Sequence, residues 1–246
     1  MTTRPAGRRT ALALVTLITV GFSATGPATA GVAPAGPLRP ELPPPGDFAR
    51  RVDNPFFPLK PGTRWVYRGH GSEAGERIVV RVLDRTRLVA GIRATVVRDV
   101  VTEQGRVVED TFDWYAQDRR GNVWYLGEAT RAYDEDGTIS TEGSWEAGVD
   151  GAEAGIQMWA DPHVGRSYFQ EYDAGNAEDV GEVLRTGVRV VSADKAYDDA
   201  RLTMDSTPLE KDVTELKFYA PGVGTVLTLD VSPAEGRTEL VRVTHR

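Results

Sequence analysis

Seven residues between positions 110 and 146 have the types and spacing needed to hold a ligand: Asp110, Phe112, Trp114, Tyr125, Gly127, Glu142 and Glu146. They fall in residues 107–147, which read as three extended segments joined by two tight polar turns, Asp118-Arg119-Arg120-Gly121 and Asp134-Glu135-Asp136-Gly137. Short polar clusters ending in glycine between aromatic and β-branched runs are hairpin loops. If Gln117 opposes Asn122 and Tyr133 opposes Thr138, strand alternation puts three rows on one face: Glu142, Ala129 and Asp110; Ser144, Gly127 and Phe112; Glu146, Tyr125 and Trp114. Gly127 then leaves a dent ringed by aromatics and three carboxylates. Asp110 and Glu142 would stand roughly 10 Å apart at Cα, because neighbouring strands are spaced about 4.8 Å. Such a dent could hold a sugar stacked on Trp114, a cationic ligand over the ring faces, or a hard metal ion shared by acids. Carboxylates so spaced also permit glycosidase chemistry. The plain alternative is that the acids face water and the aromatics are ordinary cross-strand pairs. A one-residue slip in either hairpin would scatter the set across both faces.

The other face of these strands carries Glu109, Thr111, Asp113 and Tyr115, then Trp124, Leu126, Glu128 and Thr130, then Ile139, Thr141 and Trp145. Asp113 and Glu128 become diagonal neighbours there. If that face is the core, at least one must be neutralised or paired, since a buried carboxylate without a partner raises its pKa or weakens the fold. Arginines, which far outnumber lysines, are candidate partners. Both faces are mixed, so pattern alone does not say which is inside.

Other motifs carry less. Asp134-Glu135-Asp136-Gly137 has the composition of a calcium loop, but with Gly137 at the sixth position the first and twelfth fall on Ala132 and Gly143, where carboxylates are required. A hairpin turn is the better reading, and no metal site is expected. Glu171, Asp173, Glu178, Asp179 and Glu182 form a second acidic run that reads as a solvated face. His70, His163 and His245 have no ligand partner at helical or strand spacing. There is no Gly-X-Ser-X-Gly elbow, phosphate loop or dinucleotide fingerprint, which lowers an enzymatic reading, and no cofactor is expected.

The elements that must position these residues begin after an export signal. Arg4, Arg8 and Arg9 precede an apolar run over residues 11–20, and Ala28-Thr29-Ala30 follows as a small-residue cleavage site. This is the three-part pattern of a secretory signal peptide, with cleavage near Ala30-Gly31 and an apolar core too short to anchor in a bilayer. The Arg8-Arg9 pair leaves the twin-arginine route open beside the general one. Losing residues 1–30 removes three arginines and no acid, so the formal charge moves from −7 to about −10. An exported protein of that sign repels phosphate backbones, which excludes a nucleic-acid partner. No later apolar run has transmembrane length. With no cysteine there is neither a disulfide framework nor a thiol for a lipid anchor. A small molecule, glycan or lipid remains as the expected partner.

Residues 31–53 open with six prolines in sixteen positions and read as an extended tether, with Asp47 capping a short helical turn over residues 48–51. Residues 54–246 then hold about eleven strand-like runs, most joined to the next by a glycine or proline turn, and no long amphipathic helix. Gly187 marks a kink in the run 180–191, 148–155 reads as a loop, and Ala220-Pro221-Gly222 as a turn. The expected fold is all-β: one domain whose antiparallel meander forms a strongly curved sheet or open barrel, with few helices.

Several blocks carry a resemblance: 54–67 (NPFFPLKPGTRWVY), 109–128 (EDTFDWYAQDRRGNVWYLGE), 143–156 (GSWEAGVDGAEAGI), 170–183 and 219–224 (YAPGVG). Over most of 54–246 the chain resembles a family of uncharacterised exported bacterial proteins, which implies a recurring secreted domain but no activity. In architecture it is also similar to periplasmic lipoprotein carriers, whose curved antiparallel sheets hold acyl chains; fold alone does not establish function. The leading expectation is a non-enzymatic exported binding module. Behind it stand a carboxylate-dependent glycan hydrolase and a structural or interaction domain of the cell envelope.

Overall fold

The computed structural model describes residues 36–245. The signal-peptide pattern of residues 1–30 and the start of the proline-rich segment lie outside the described residues. Strands dominate: β1 (Arg64–Gly71), β2 (Glu76–Val89), β3 (Ile92–Glu103), β4 (Arg106–Gln117) and β5 (Val123–Ala129) come first. The short β6 (Ala132–Tyr133), β7 (Ile139–Ser140) and β8 (Trp145–Glu146) follow, then β9 (Glu153–Met158), β10 (Ser167–Phe169) and β11 (Glu171–Tyr172). The chain ends in the meander β12 (Val180–Ser192), β13 (Lys195–Ser206), β14 (Thr214–Ala220), β15 (Gly224–Ser232) and β16 (Gly236–Thr244).

Thirteen of these strands form one path, β10-β12-β13-β14-β15-β16-β1-β2-β3-β4-β5-β9-β11, with β6, β7 and β8 branching from it. Every named pair is antiparallel, and the sheet nearly closes into a barrel. The expected class is therefore what forms. The end strands of the path, β10 and β11, are separated in sequence by Gln170 alone, so the chain itself ties the two ends together. Residues 167–172 thus form two short strands, broken where the barrel closes. Gly155 on β9 lies so near this seam that a Cβ there would collide with the backbone of Phe169 and Gln170.

Other departures have simple causes. The expected loop over 148–155 ends early, its last three residues opening β9, because the edge of β5 offers a ladder for them. β13 starts at Lys195, where Ala193 and Asp194 take positive φ and make the tight turn. The helical turn is a 3-10 turn at Pro45–Asp47, not at residues 48–51. The described part of the proline-rich segment lies on the barrel: Leu38 bridges to Tyr168, Ala49 N–H donates to the Gln117 carbonyl, and Phe48 packs on Trp124. Gly187 does sit at a break in the β12 register.

The registers decide which residues share a face. Gln117 opposes Val123 instead of Asn122, because Asp118 fills the turn: its carboxylate accepts from the backbone N–H of Arg120 and Asn122 and from the Trp124 indole. Further along, Tyr115 opposes Tyr125 but Asp113 opposes Glu128, leaving Trp114 across from both Leu126 and Gly127. That is a β-bulge, and Gly127 carries its positive φ of 137°. A Cβ on Gly127 would lie 2.9 Å from Glu146 Cα and 3.0 Å from Trp114 Cε3. The second hairpin is shifted as well, with Tyr133 opposite Ile139 and Glu146 opposite Gly127.

Gly127→Val therefore combines backbone strain with overpacking. We expect it to lower unfolding stability by about 3 kcal/mol or more, read from urea denaturation. An effect below about 1 kcal/mol would mean that the bulge is not a fixed feature of the fold.

Candidate functional site

The shared face expected for the seven residues does not form. With the bulge in place, Trp114 faces the outside of the barrel and Tyr125 faces the lumen, and Tyr125 is the one member of the seven that lines the central cavity. On the outer wall, arginines from β2 and β3 occupy the others. Arg98 makes two 2.7 Å hydrogen bonds to Asp110, and Arg85 and Arg98 sit over the Phe112 ring. Arg87 lies 4.0 Å over Trp114 and donates to Glu146 at 2.5 Å. Glu142 is exposed in a turn, its backbone N–H held by Ser140.

The opposite set forms the lumen. Glu109, Thr111, Asp113 and Tyr115, at every second position of β4, line a cavity of about 810 Å³. Alternation on the other strands adds Trp65 and Tyr67 from β1, Val97 and Asp99 from β3, and Glu215, Lys217 and Tyr219 from β14. Tyr115 and Tyr125 stack at 4.7 Å, with Phe57 edge-on to the first and Trp145 edge-on to the second. A row of ring faces thus runs along one wall.

The electrostatics are one-sided. Among the described residues, thirteen carboxylate residues and a single cationic one, Lys217, line the cavity. Lys217 Nζ is 2.8 Å from Asp205 and 3.2 Å from Glu215. Burial alone would lower the pKa of its ammonium, but these two carboxylates outweigh burial and hold it well above the usual lysine value.

The remaining acids are held in part by shared protons. Pairing with Tyr115 turns Tyr125 inward and the bulge brings Glu128 to the same side, and Tyr125 Oη lies 2.8 Å from Asp113 Oδ1 and 2.7 Å from Glu128 Oε2. A phenol has one proton to donate. The second short contact therefore needs a protonated carboxyl donating to the phenol oxygen. In agreement, burial pushes Asp113 up to about 6, the Tyr125 hydrogen bond limiting the rise. Burial and then the charge of Asp113 push Glu128 well above the carboxylate range. Burial also raises Glu109 and Asp179, each to about 7, and holds Asp99 and Glu171 well above the usual carboxylate range. Trp145 Nε1 donates to Glu171 at 2.6 Å.

Two polar atoms in the wall remain without a hydrogen-bond partner, Asp99 Oδ1 and Gln170 Nε2. Gln170 is only 6% exposed and sits at the seam. Among the described residues, no group of three acids or histidines converges in a way that could hold a metal ion.

Glu171 and Asp179 belonged to the acidic run that reads as a solvated face; the structure puts both in the lumen. Their backbone explains it, since Glu171 pairs with Ala154 at the seam and Asp179 accepts from Gln170 N–H. Lys217 and Glu215 escaped notice, although the alternation Glu215, Lys217, Tyr219 in a strand is a legible sign that one face of β14 carries both polar groups and a ring.

No family model matches the chain, and no curated protein matches it. Two solved structures do. One is a protein from Bacteroides fragilis, inferred to be exported, with a YmcC-like fold: 14% identity, TM-score 0.46, covering 77% of this chain and 98% of that one. The other is a protein from Parabacteroides distasonis, inferred to be a lipoprotein: 15% identity, TM-score 0.41, with the same coverages. No helix among the described residues is long and apolar enough to cross a membrane.

Raised carboxyl pKa values fix the direction of the pH dependence. Each such group binds its proton more tightly folded than unfolded, so its contribution is full below about pH 4 and is lost as pH rises through 6 to 7. The ligand-free protein should lose stability across that window. Asp113→Asn, which keeps an acceptor for Tyr125, should stabilise it by about 1–3 kcal/mol at pH 8 and hardly at all at pH 4, as measured by denaturant titration. Equal effects at the two pH values would show that Asp113 is not held protonated by burial.

Proposed function

We propose that this protein is an exported, non-enzymatic binding module that takes a small polar molecule into the lumen of its barrel. The observation that carries the reading is the cavity of about 810 Å³, within the range of small-molecule sites and walled by six aromatic residues with polar groups between them. Its acidic wall is unsuited to an acyl chain, since apolar contact would leave carboxylates desolvated without partners. Export rests on the basic, apolar and small-residue succession of residues 1–30. The ligand site assigned to Asp110, Phe112, Trp114, Gly127, Glu142 and Glu146 moves to the other face, with Tyr125 retained.

Native mass spectrometry of the exported protein should reveal a bound small molecule at one per chain. Thr228 points into the same space from β15, opposite Lys217. Thr228→Trp should obstruct part of the lumen and weaken retention while the far-ultraviolet spectrum stays that of a β protein. A folded Thr228→Trp variant that retains the molecule undiminished would place binding elsewhere.

A further inference from the structure

We propose that the ligand of the lumen is an organic cation bearing two or more separated amines. This rests on the lumen being the binding site. The argument begins from imbalance. Burying a carboxylate without a partner is costly, and folded proteins offset the cost with arginine, lysine or a metal. Here the arginines that could serve stand on the outer wall, against Asp110, Phe112, Trp114 and Glu146. Only Lys217 enters the cavity.

Lys217 shows what the lumen does with an ammonium. Asp205 and Glu215 take it at 2.8 and 3.2 Å and keep it charged although it is buried. Elsewhere on the wall, Asp99, Glu109, Asp113 and Glu128 line β3, β4 and β5, with Glu171 beside them at the seam, and no cationic side chain reaches this group from within the cavity. They lie beside Tyr115 and Tyr125, which stack on each other. An amine arriving there would meet several carboxyl groups at once.

Two unpartnered atoms also point to a ligand, one on an acid already named and one, on Gln170, independent of the acids. Asp99 Oδ1 is buried, faces the lumen and accepts no hydrogen bond, so it calls for a donor. Gln170, more than nine-tenths buried, presents an amide nitrogen with no acceptor. A hydroxyl or ether oxygen on the same ligand would complete it. The acids are spread around the wall instead of gathered into a coordination sphere, which suits charges strung along a chain better than one ion.

The experiment is calorimetric titration of the mature protein, unfolded and refolded to release any resident molecule, at pH 7.5. Spermidine is the probe, with 1,8-octanediol, suberate and calcium chloride as comparisons. Spermidine should bind one per chain and raise the melting temperature, while the neutral diol and the diacid should not bind. The double variant Asp113→Asn/Glu128→Gln replaces two ionisable carboxyls without changing shape and is expected to fold at least as stably at this pH. It should bind spermidine at least tenfold more weakly, and Thr228→Trp should also weaken binding. Binding of the diol or the diacid with none of spermidine would overturn the cationic assignment yet leave the lumen as the site. Calcium binding without spermidine binding would also overturn it. Spermidine binding unaffected by both variants would overturn the assignment and the lumen reading together.

Discussion

The bulge on β5 is the constraint from which the interior follows. Regular pairing would make Tyr125 and Glu128, three residues apart, face opposite sides of the sheet. By setting Leu126 and Gly127 against the single residue Trp114, the chain restores Glu128 to the lumen beside Tyr125 and across from Asp113. One phenol then touches two carboxyls. Trp114, alternating with Asp113 and Tyr115 on β4, faces outward, where Arg87 covers it. The inserted position therefore returns an acid to the inner wall. Only glycine tolerates its backbone and its crowding against Trp145 and Glu146.

Charge is segregated by sign across the sheet. Outside, the guanidinium groups of Arg87 and Arg98 meet Glu146 and Asp110 in partly exposed pairs, where each bond adds little net stability. Inside, carboxylates outnumber cations, and the fold tolerates them by protonation, by the Lys217 pairs and by donors such as the Trp145 indole. Desolvation outweighs every other influence on Asp99, Asp113, Glu128 and Glu171. A wall that is stable chiefly when its acids are neutral is unusual for structure alone and ordinary for a site awaiting a partner of opposite charge.

Much of this was legible in the residues. The strand and turn chemistry of residues 107–147 gave the meander and the curved, nearly closed sheet, and alternation on β4 grouped Glu109, Thr111, Asp113 and Tyr115 correctly. What failed was register. The extra residue that Asp118 demands in its turn and the bulge at Gly127 each shift a pairing by one, and a shift of one exchanges the faces. Neither event has a local signature beyond an aspartate and a glycine. Burial of Glu171 and Asp179 was equally hidden, because it depends on β11 pairing with β9 and on Gln170 bonding to Asp179, contacts that no local pattern encodes.

The seam shows why closure and site cannot be separated. β10 and β11 have three and two residues, so few ladder bonds hold the wall there. The balance is made partly by groups bonded to cavity residues, Gln170 N–H on the Asp179 carbonyl and the Trp145 indole on Glu171, and by Leu38, whose backbone pairs with β10. Opening this short stretch would admit water to Glu171 and Asp179 and relieve the desolvation that raises them. Two buried acids thus sit beside the short strands that close the wall. Opposite charge bound in the lumen would lower that penalty and tighten the seam through the same residues.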